Sequence, residues 1–167
     1  MNAVGDQFQA GEIFVPEVLV AARAMNVGTE LLKPLLQAGD SEVQGKVCIG
    51  SIKGDLHDIG KNLVALLLYS NGYTVHDLGN NVAPEDFVLA AQKYNADIVA
   101  LSALLTTTME NMDHTIEAFA DAGLREQIKI IIGGAPVSLE YAQEIGADGY
   151  SEDAQGAVEL AGKLLEG

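Results

Sequence analysis

From Lys46 onward, short apolar runs rich in β-branched residues alternate with longer stretches whose apolar positions recur at helical spacing. The runs KVCIGSI (46–52), YTVHDLG (73–79), DIVALSA (97–103), residues 128–134 ending KIIIGG, and GYSED (149–153) read as strands. Between them, a helix is predicted from about Ile59 to Asn71, with Asp58 as its cap and Gly72 just past its end. A second begins at PEDFVLAAQKYN, where Pro84 suits the first turn because its missing N–H would have no intrahelical partner. The third, TTTMENMDHTIEAFADAG, has Thr107 and Glu110 at capping-box spacing and Gly123 at its close. SLEYAQEIG and about Ala154 to Leu165 complete the set.

Strands that are continuously apolar and alternate with helices predict an α/β domain whose parallel sheet is covered on both faces. Right-handed crossovers then favour the flavodoxin-like (Rossmann-like) order 2-1-3-4-5, with a crevice beyond the carboxyl ends of strands 1 and 3. Residues 53–60 and 102–108 occupy those two ends. Residues 1–45 differ: IFVPEVLVAARAM and TELLKPLLQAG read as two short helices, with Pro16 near the start of the first and Gly28 between them. Ala21, Ala24 and Met25 recur at helical spacing, flanked by Phe14 and Leu32. Two helices cannot bury their apolar faces alone, so residues 1–45 form an appendage to an α/β domain spanning 46–167.

Composition supports one globular core, at 49% hydrophobic and 20% charged over 167 residues. A net charge of −15 argues against nucleic acid or an anionic membrane as partner, since an acidic surface repels both. The lone Cys48, inside an apolar strand, rules out an internal disulfide and, with no transmembrane run or leader pattern, points to the cytoplasm.

The candidate chemistry centres on GDLHDIGKN, Gly54 to Asn62. His57 lies at the tip of strand 1, and Asp55 is placed to accept a hydrogen bond from one ring nitrogen while the other faces outward. That pairing serves a metal ligand or a general base, and an ordinary loop histidine stands beside both readings. The chain has no His-x-x-His, Cys pair or Glu-x-x-His; His76 falls in strand 2 without a matching partner and His114 falls mid-helix. A lone loop histidine suits one axial bond to a metal whose other positions a macrocycle fills. Gly60, Ser102 and Gly133-Gly134 leave room and a hydroxyl at the strand tips. A phosphate site is disfavoured: G-x-G-x-x-G and GKS/GKT are absent, and only Lys53 and Lys61 are basic nearby.

Together these residues resemble the corrinoid-binding signature D-x-H-x-x-G, S-x-L, G-G. It reads here as Asp55-Leu56-His57-Asp58-Ile59-Gly60, Ser102-Ala103-Leu104 and Gly133-Gly134, with forty-one residues between Gly60 and Ser102 and twenty-eight between Leu104 and Gly133. The likeness covers residues 46–165 and is to the methyltransferase-associated corrinoid proteins, with a methionine-synthase-type B12-binding domain. The stretch GEIFVPEVLVAARAM with LLKPLL is similar to the last two helices of their usually four-helix cap. A shortened chain, an alternative start or helices from another chain would account for the missing half.

The resemblance implies a cobalamin or related cobamide whose cobalt takes His57 as axial ligand, cycling through methyl-bound, Co(I) and Co(II) states. It implies a proton relay of Asp55 and Thr108, Asp58 beside the cofactor at the start of the helix, and a tail slot lined by Ser102, Leu104, Thr107, Gly133 and Gly134, with Gly60 leaving room. Phe14, Ala21, Ala24 and Met25 would shield the upper face. The implied role is a methyl carrier without catalytic residues of its own. It would work between a substrate-specific methyltransferase and a second one with a tetrahydrofolate or thiol acceptor, served by a reductive activase. The donor, whether a methylamine, methanol or a methoxylated aromatic, is left open. The alternatives are the cobalamin subunit of an adenosylcobalamin mutase, which generally lacks the cap helix, and a corrinoid sensor, which needs an output domain.

Overall fold

A computed structural model describes residues 44–166 and, before them, Gln7, residues 12–14, Glu17, Val20, Ala21, Arg23, Ala24, Val27, Gly28 and Leu31. The described elements run β1 (Lys46–Ser51), α1 (Ile59–Ser70), β2 (Thr74–Asp77), α2 (Pro84–Tyr94), β3 (Ile98–Ser102), α3 (Thr106–Asp121), β4 (Lys129–Gly133), α4 (Leu139–Glu144), β5 (Gly149–Ser151) and α5 (Ala154–Glu166). All strand pairs are parallel, in the order β2-β1-β3-β4-β5 predicted from the alternating pattern.

Period-two alternation divides the core between the two faces of the sheet. Cys48, Val99, Leu101, Ile130 and Ile132 meet Phe87 of α2 and Met112 and Phe119 of α3 on one face. Val47, Ile49, Ile98, Ala100 and Ile131 meet Ala65 and Leu68 of α1 and Val158 and Ala161 of α5 on the other. Cys48 is fully buried, and burial pushes its thiol up to about 11, so it is a core residue rather than a nucleophile.

Two local expectations change. Asp58 occupies the cap position of α1, but its side chain makes no capping bond there. The Thr107–Glu110 capping box is absent: α3 begins at Thr106, the cap is Leu105 in an extended conformation, and Thr107 already lies within the first turn. In the N-terminal stretch the described residues Glu17, Val20, Ala21, Arg23, Ala24, Val27, Gly28 and Leu31 are helical. Pro16, Met25 and Leu32 lie outside the described residues. No helix among the described residues is long and apolar enough to cross a membrane.

Gly134 shows how closely the tips of β3 and β4 approach. Its φ is +130°, and an added Cβ would come within 1.8 Å of the Ala103 carbonyl oxygen. Gly134→Ala should therefore destabilise the fold by about 3 kcal/mol or more, from backbone strain and overpacking together. A urea-unfolding midpoint equal to that of the parent protein would show that the tips separate at little cost.

Candidate corrinoid site

Parallel pairing carries the ends of β1, β3 and β4 to one edge of the sheet, with Ser51 opposite Ser102 and Ser102 opposite Gly133. The loop after β1 then brings Asp55 to the start of α3. Asp55 is fully buried and nearly all its hydrogen-bonding capacity is used. Its Oδ1 accepts from the His57 backbone N–H at 3.0 Å and pairs with His57 Nδ1 at 2.8 Å. Its Oδ2 accepts from the backbone N–H groups of Leu104 at 2.7 Å and Leu105 at 3.3 Å, and from Thr108 Oγ1 at 2.9 Å. A carboxylate from a loop about fifty residues earlier thus occupies the end of α3, where a local cap was expected. The helix dipole favours an anion at that place.

Burial alone would push the Asp55 carboxyl up, but hydrogen bonds from the Leu104 and His57 backbone N–H groups, the His57 ring and the Thr108 hydroxyl outweigh it. The net effect lowers its pKa to about 2. Asp55 is therefore an anion at neutral pH. Thr108 Oγ1 also lies 2.9 Å from the Leu105 carbonyl, but it has one proton, and the charged carboxylate is the stronger acceptor.

An anionic Asp55 fixes the tautomer of His57. In the neutral ring the proton stays on Nδ1, facing Asp55, which leaves the Nε2 lone pair available. The His57 side chain is 50% exposed, and Nε2 has no hydrogen-bond partner among the described residues. A free Nε2 lone pair on a ring held this way can take a metal ion or a proton.

The other predicted residues divide into three groups. Leu104 and Thr108 join Asp55 directly, as above. Ser102 is half-buried at the β3 tip with no side-chain hydrogen bond among the described residues, and Thr107 is exposed. An added Cβ on Gly133 would meet the Ser151 carbonyl oxygen at 2.9 Å, whereas one on Gly60, in the first turn of α1, would meet nothing within 4 Å. Phe14 and Ala24 are exposed and Ala21 half-buried, and none belongs to either core cluster. Met25 is outside the described residues.

His76, His114 and Lys61 lie apart from this pairing. His76 stacks on Tyr94 with ring centroids 3.8 Å apart, and its pKa is lowered by burial and by Lys46 and Lys93. His114 is exposed beside a cleft of about 340 Å³. Lys61, weighed above as a phosphate ligand, is buried with Nζ 2.6 and 2.7 Å from the Asp77 carboxylate and 2.7 Å from Asn62 Oδ1. It has no reach to a ligand. Sequence reasoning missed Ser51 and the Asn80-Asn81 pair. Ser51 Oγ donates to the His57 carbonyl at 2.5 Å, and Asn81 Oδ1 accepts from the Gly54 N–H at 2.8 Å. The Asn-Asn dipeptide after Gly79 was the available signal, since such pairs mark turns whose side chains bond to backbone.

A flat, largely apolar macrocycle with a metal fits these residues. One imidazole nitrogen is presented, Gly60 leaves open space, and Leu56, Leu104 and Leu105 keep 68%, 45% and 42% of their surface exposed next to His57 and Asp55. These leucines offer apolar surface at the strand tips. Among the described residues no three His, Cys, Asp or Glu side chains gather as a metal site, so His57 would bind alone.

A family model described as B12 binding domain matches residues 45–159, and a second of the same description matches residues 1–33. Dimethylamine corrinoid protein 1 of Methanosarcina acetivorans is 46% identical over 99% of this chain and 78% of its own length. The solved monomethylamine corrinoid protein of Methanosarcina barkeri superposes with a TM-score of 0.81 at 36% identity, over 98% of this chain and 77% of that one. A chain of the methanol:cobalamin methyltransferase complex from the same organism gives a TM-score of 0.71 at 33% identity, over 99% of this chain and 63% of that one. With the signature at the strand tips and these likenesses over nearly its whole length, the chain belongs to the B12-binding corrinoid proteins of methyltransferase systems, and its cofactor is cobalamin or a related cobamide.

Proposed function

We propose that this protein carries a methyl group between two methyltransferases, one that takes it from a methylated amine and one that delivers it to a thiol or to tetrahydrofolate. The observation that carries the reading is the half-exposed His57, with Nδ1 held by a buried anionic carboxylate and Nε2 left to bind. Bound there, the cobamide supplies a cobalt atom able to accept and give up a methyl group.

The chain's own residues bind, orient and hold protons. His57 would ligate cobalt through Nε2. Asp55 orients the ring and keeps the proton on Nδ1, and the Thr108 hydroxyl donates to the other oxygen of the same carboxylate. Ser102, Leu104, Thr107, Gly133 and Gly134 would line the slot for the displaced nucleotide tail, with Asp58 and Gly60 at its entrance. Phe14, Ala21, Ala24 and Met25 would cover the opposite face of the ring and exclude water. A reductive activase would be a third partner. The amine donor is supported by the relatives named for dimethylamine and monomethylamine, and the pairing with a methyltransferase by the solved methanol complex.

The test reconstitutes the relay. Cobamide-loaded, reduced protein is mixed with a dimethylamine methyltransferase and dimethylamine, and then with a thiol-accepting methyltransferase. The expected result is one equivalent of monomethylamine per protein in the first step and a methylated thiol only after the second. Failure with dimethylamine, trimethylamine and monomethylamine enzymes alike would overturn the amine assignment, and carbon-skeleton rearrangement supported by the adenosyl form would overturn the carrier reading.

A further inference from the structure

The loop between β1 and α1 is held more completely than its exposure suggests. Asn111 Nδ2 donates to the Lys53 carbonyl at 3.2 Å, and Asn80 Nδ2 to the Leu56 carbonyl at 3.3 Å. The Gly54 N–H goes to Asn81 Oδ1 at 2.8 Å, and the Asn81 N–H returns to the Asp55 carbonyl at 2.9 Å. The Asp55 N–H bonds to the Ile52 carbonyl at 3.0 Å, and the His57 N–H to Asp55 Oδ1 at 3.0 Å. Ser51 Oγ closes the set at the His57 carbonyl, at 2.5 Å. Side chains from the β1 tip, the β2–α2 connection and α3 thus fix a segment that has no ladder of its own.

Two of these contacts do more than fill bonding capacity. Ser51 is fully buried and its hydroxyl reaches the backbone of the ligand residue itself. Asn81 has φ of +51°, a left-handed conformation that asparagine tolerates, and it grips Gly54 and Asp55 by side chain and backbone at once. We propose that Ser51 and Asn81 are positioning residues for His57, freezing the backbone of residues 54–57 so that the imidazole is presented in its ligating orientation before cobalt arrives. Fixing a residue's backbone costs conformational entropy, and a loop ordered on folding is spared that cost on ligation. The proposal rests on His57 being the axial ligand.

Ser51→Ala removes the hydroxyl, Ser51→Thr retains one, and Asn81→Gly keeps the left-handed backbone and the N–H bond to Asp55 while losing Oδ1. Two measurements read the effect. In the apo-protein, ¹⁵N relaxation reports the order of the 54–57 amides, which should fall in Ser51→Ala and Asn81→Gly and stay high in Ser51→Thr. In the cobamide-loaded Co(II) protein, the ratio of nitrogen-split to unsplit paramagnetic signal should fall about fivefold in the first two variants, the worth of one hydrogen bond. If Ser51→Ala does not fold, Asn81→Gly decides alone. Variants that melt earlier but keep both loop order and the signal ratio would show a purely structural role and overturn the proposal. Absence of nitrogen splitting in the parent protein would instead overturn the ligand assignment, while the apo-protein relaxation would still test the latch.

Discussion

His57→Ala is expected to abolish the imidazole-nitrogen splitting in the Co(II) spectrum of the loaded protein while leaving the apo fold almost untouched. The two halves of that expectation have separate causes. The imidazole is 50% exposed and bonds only to Asp55, so its removal opens no cavity in either core cluster. Asp55 keeps its donors from the residue 57 backbone N–H, Leu104, Leu105 and Thr108, so its charge remains satisfied. A surface change of that kind shifts stability by about 0.5 kcal/mol or less. If His57 supplies the nitrogen ligand, neither other histidine is placed to replace it: His76 stacks on Tyr94 and His114 lies on α3 beside a cleft. Splitting that persists in the variant would show that another nitrogen, such as the cobamide's own base, binds cobalt.

Gly60 offers the second large effect, because there stability and binding should move in opposite directions. An added Cβ meets nothing within 4 Å, so the fold does not require glycine at this position. Within a helix glycine is the less favourable choice, and Gly60→Leu should leave the apo-protein unchanged or stabilise it by up to about 1 kcal/mol. If the open space accommodates the nucleotide tail, a leucine there overpacks the bound state by about 1–3 kcal/mol, weakening cobamide uptake by roughly 5- to 150-fold. Urea unfolding of the apo-protein and titration with cobamide by visible absorbance measure the two sides. Equal affinity in the variant would mean that the ligand passes elsewhere.

Much of the fold is legible in the sequence. The alternation of strand and helix patterns predicted five parallel strands in the observed order, and with them which loops meet at one sheet edge. The Asp55–His57 pair could be read because its members are two residues apart, a separation that a loop closes by itself. The Thr107–Glu110 box could not be judged that way. Its spacing was right, but the start of α3 was already served by Asp55, and local spacing carries no record of such a competitor. Lys61 shows the same limit, because its ion pair is with a residue sixteen positions away. A lysine near a glycine-rich tip looks available until β2 places Asp77 against it.

What the sequence determined by itself, then, is the period of each element, the breaks between them, and the three short motifs at their ends, because these depend on neighbours a few residues apart. The tertiary structure decided which groups meet across the tips. Thr108 and Leu104 reach Asp55 over separations of 53 and 49 residues, and Asn81 reaches Gly54 over 27. Those bonds exist because parallel pairing stacks the strand ends in register, and a hydrogen bond tolerates only a few tenths of an ångström of error. Hydrophobic patterning fixes register by burying the correct face, but the choice of donor for each acceptor follows from the folded geometry alone.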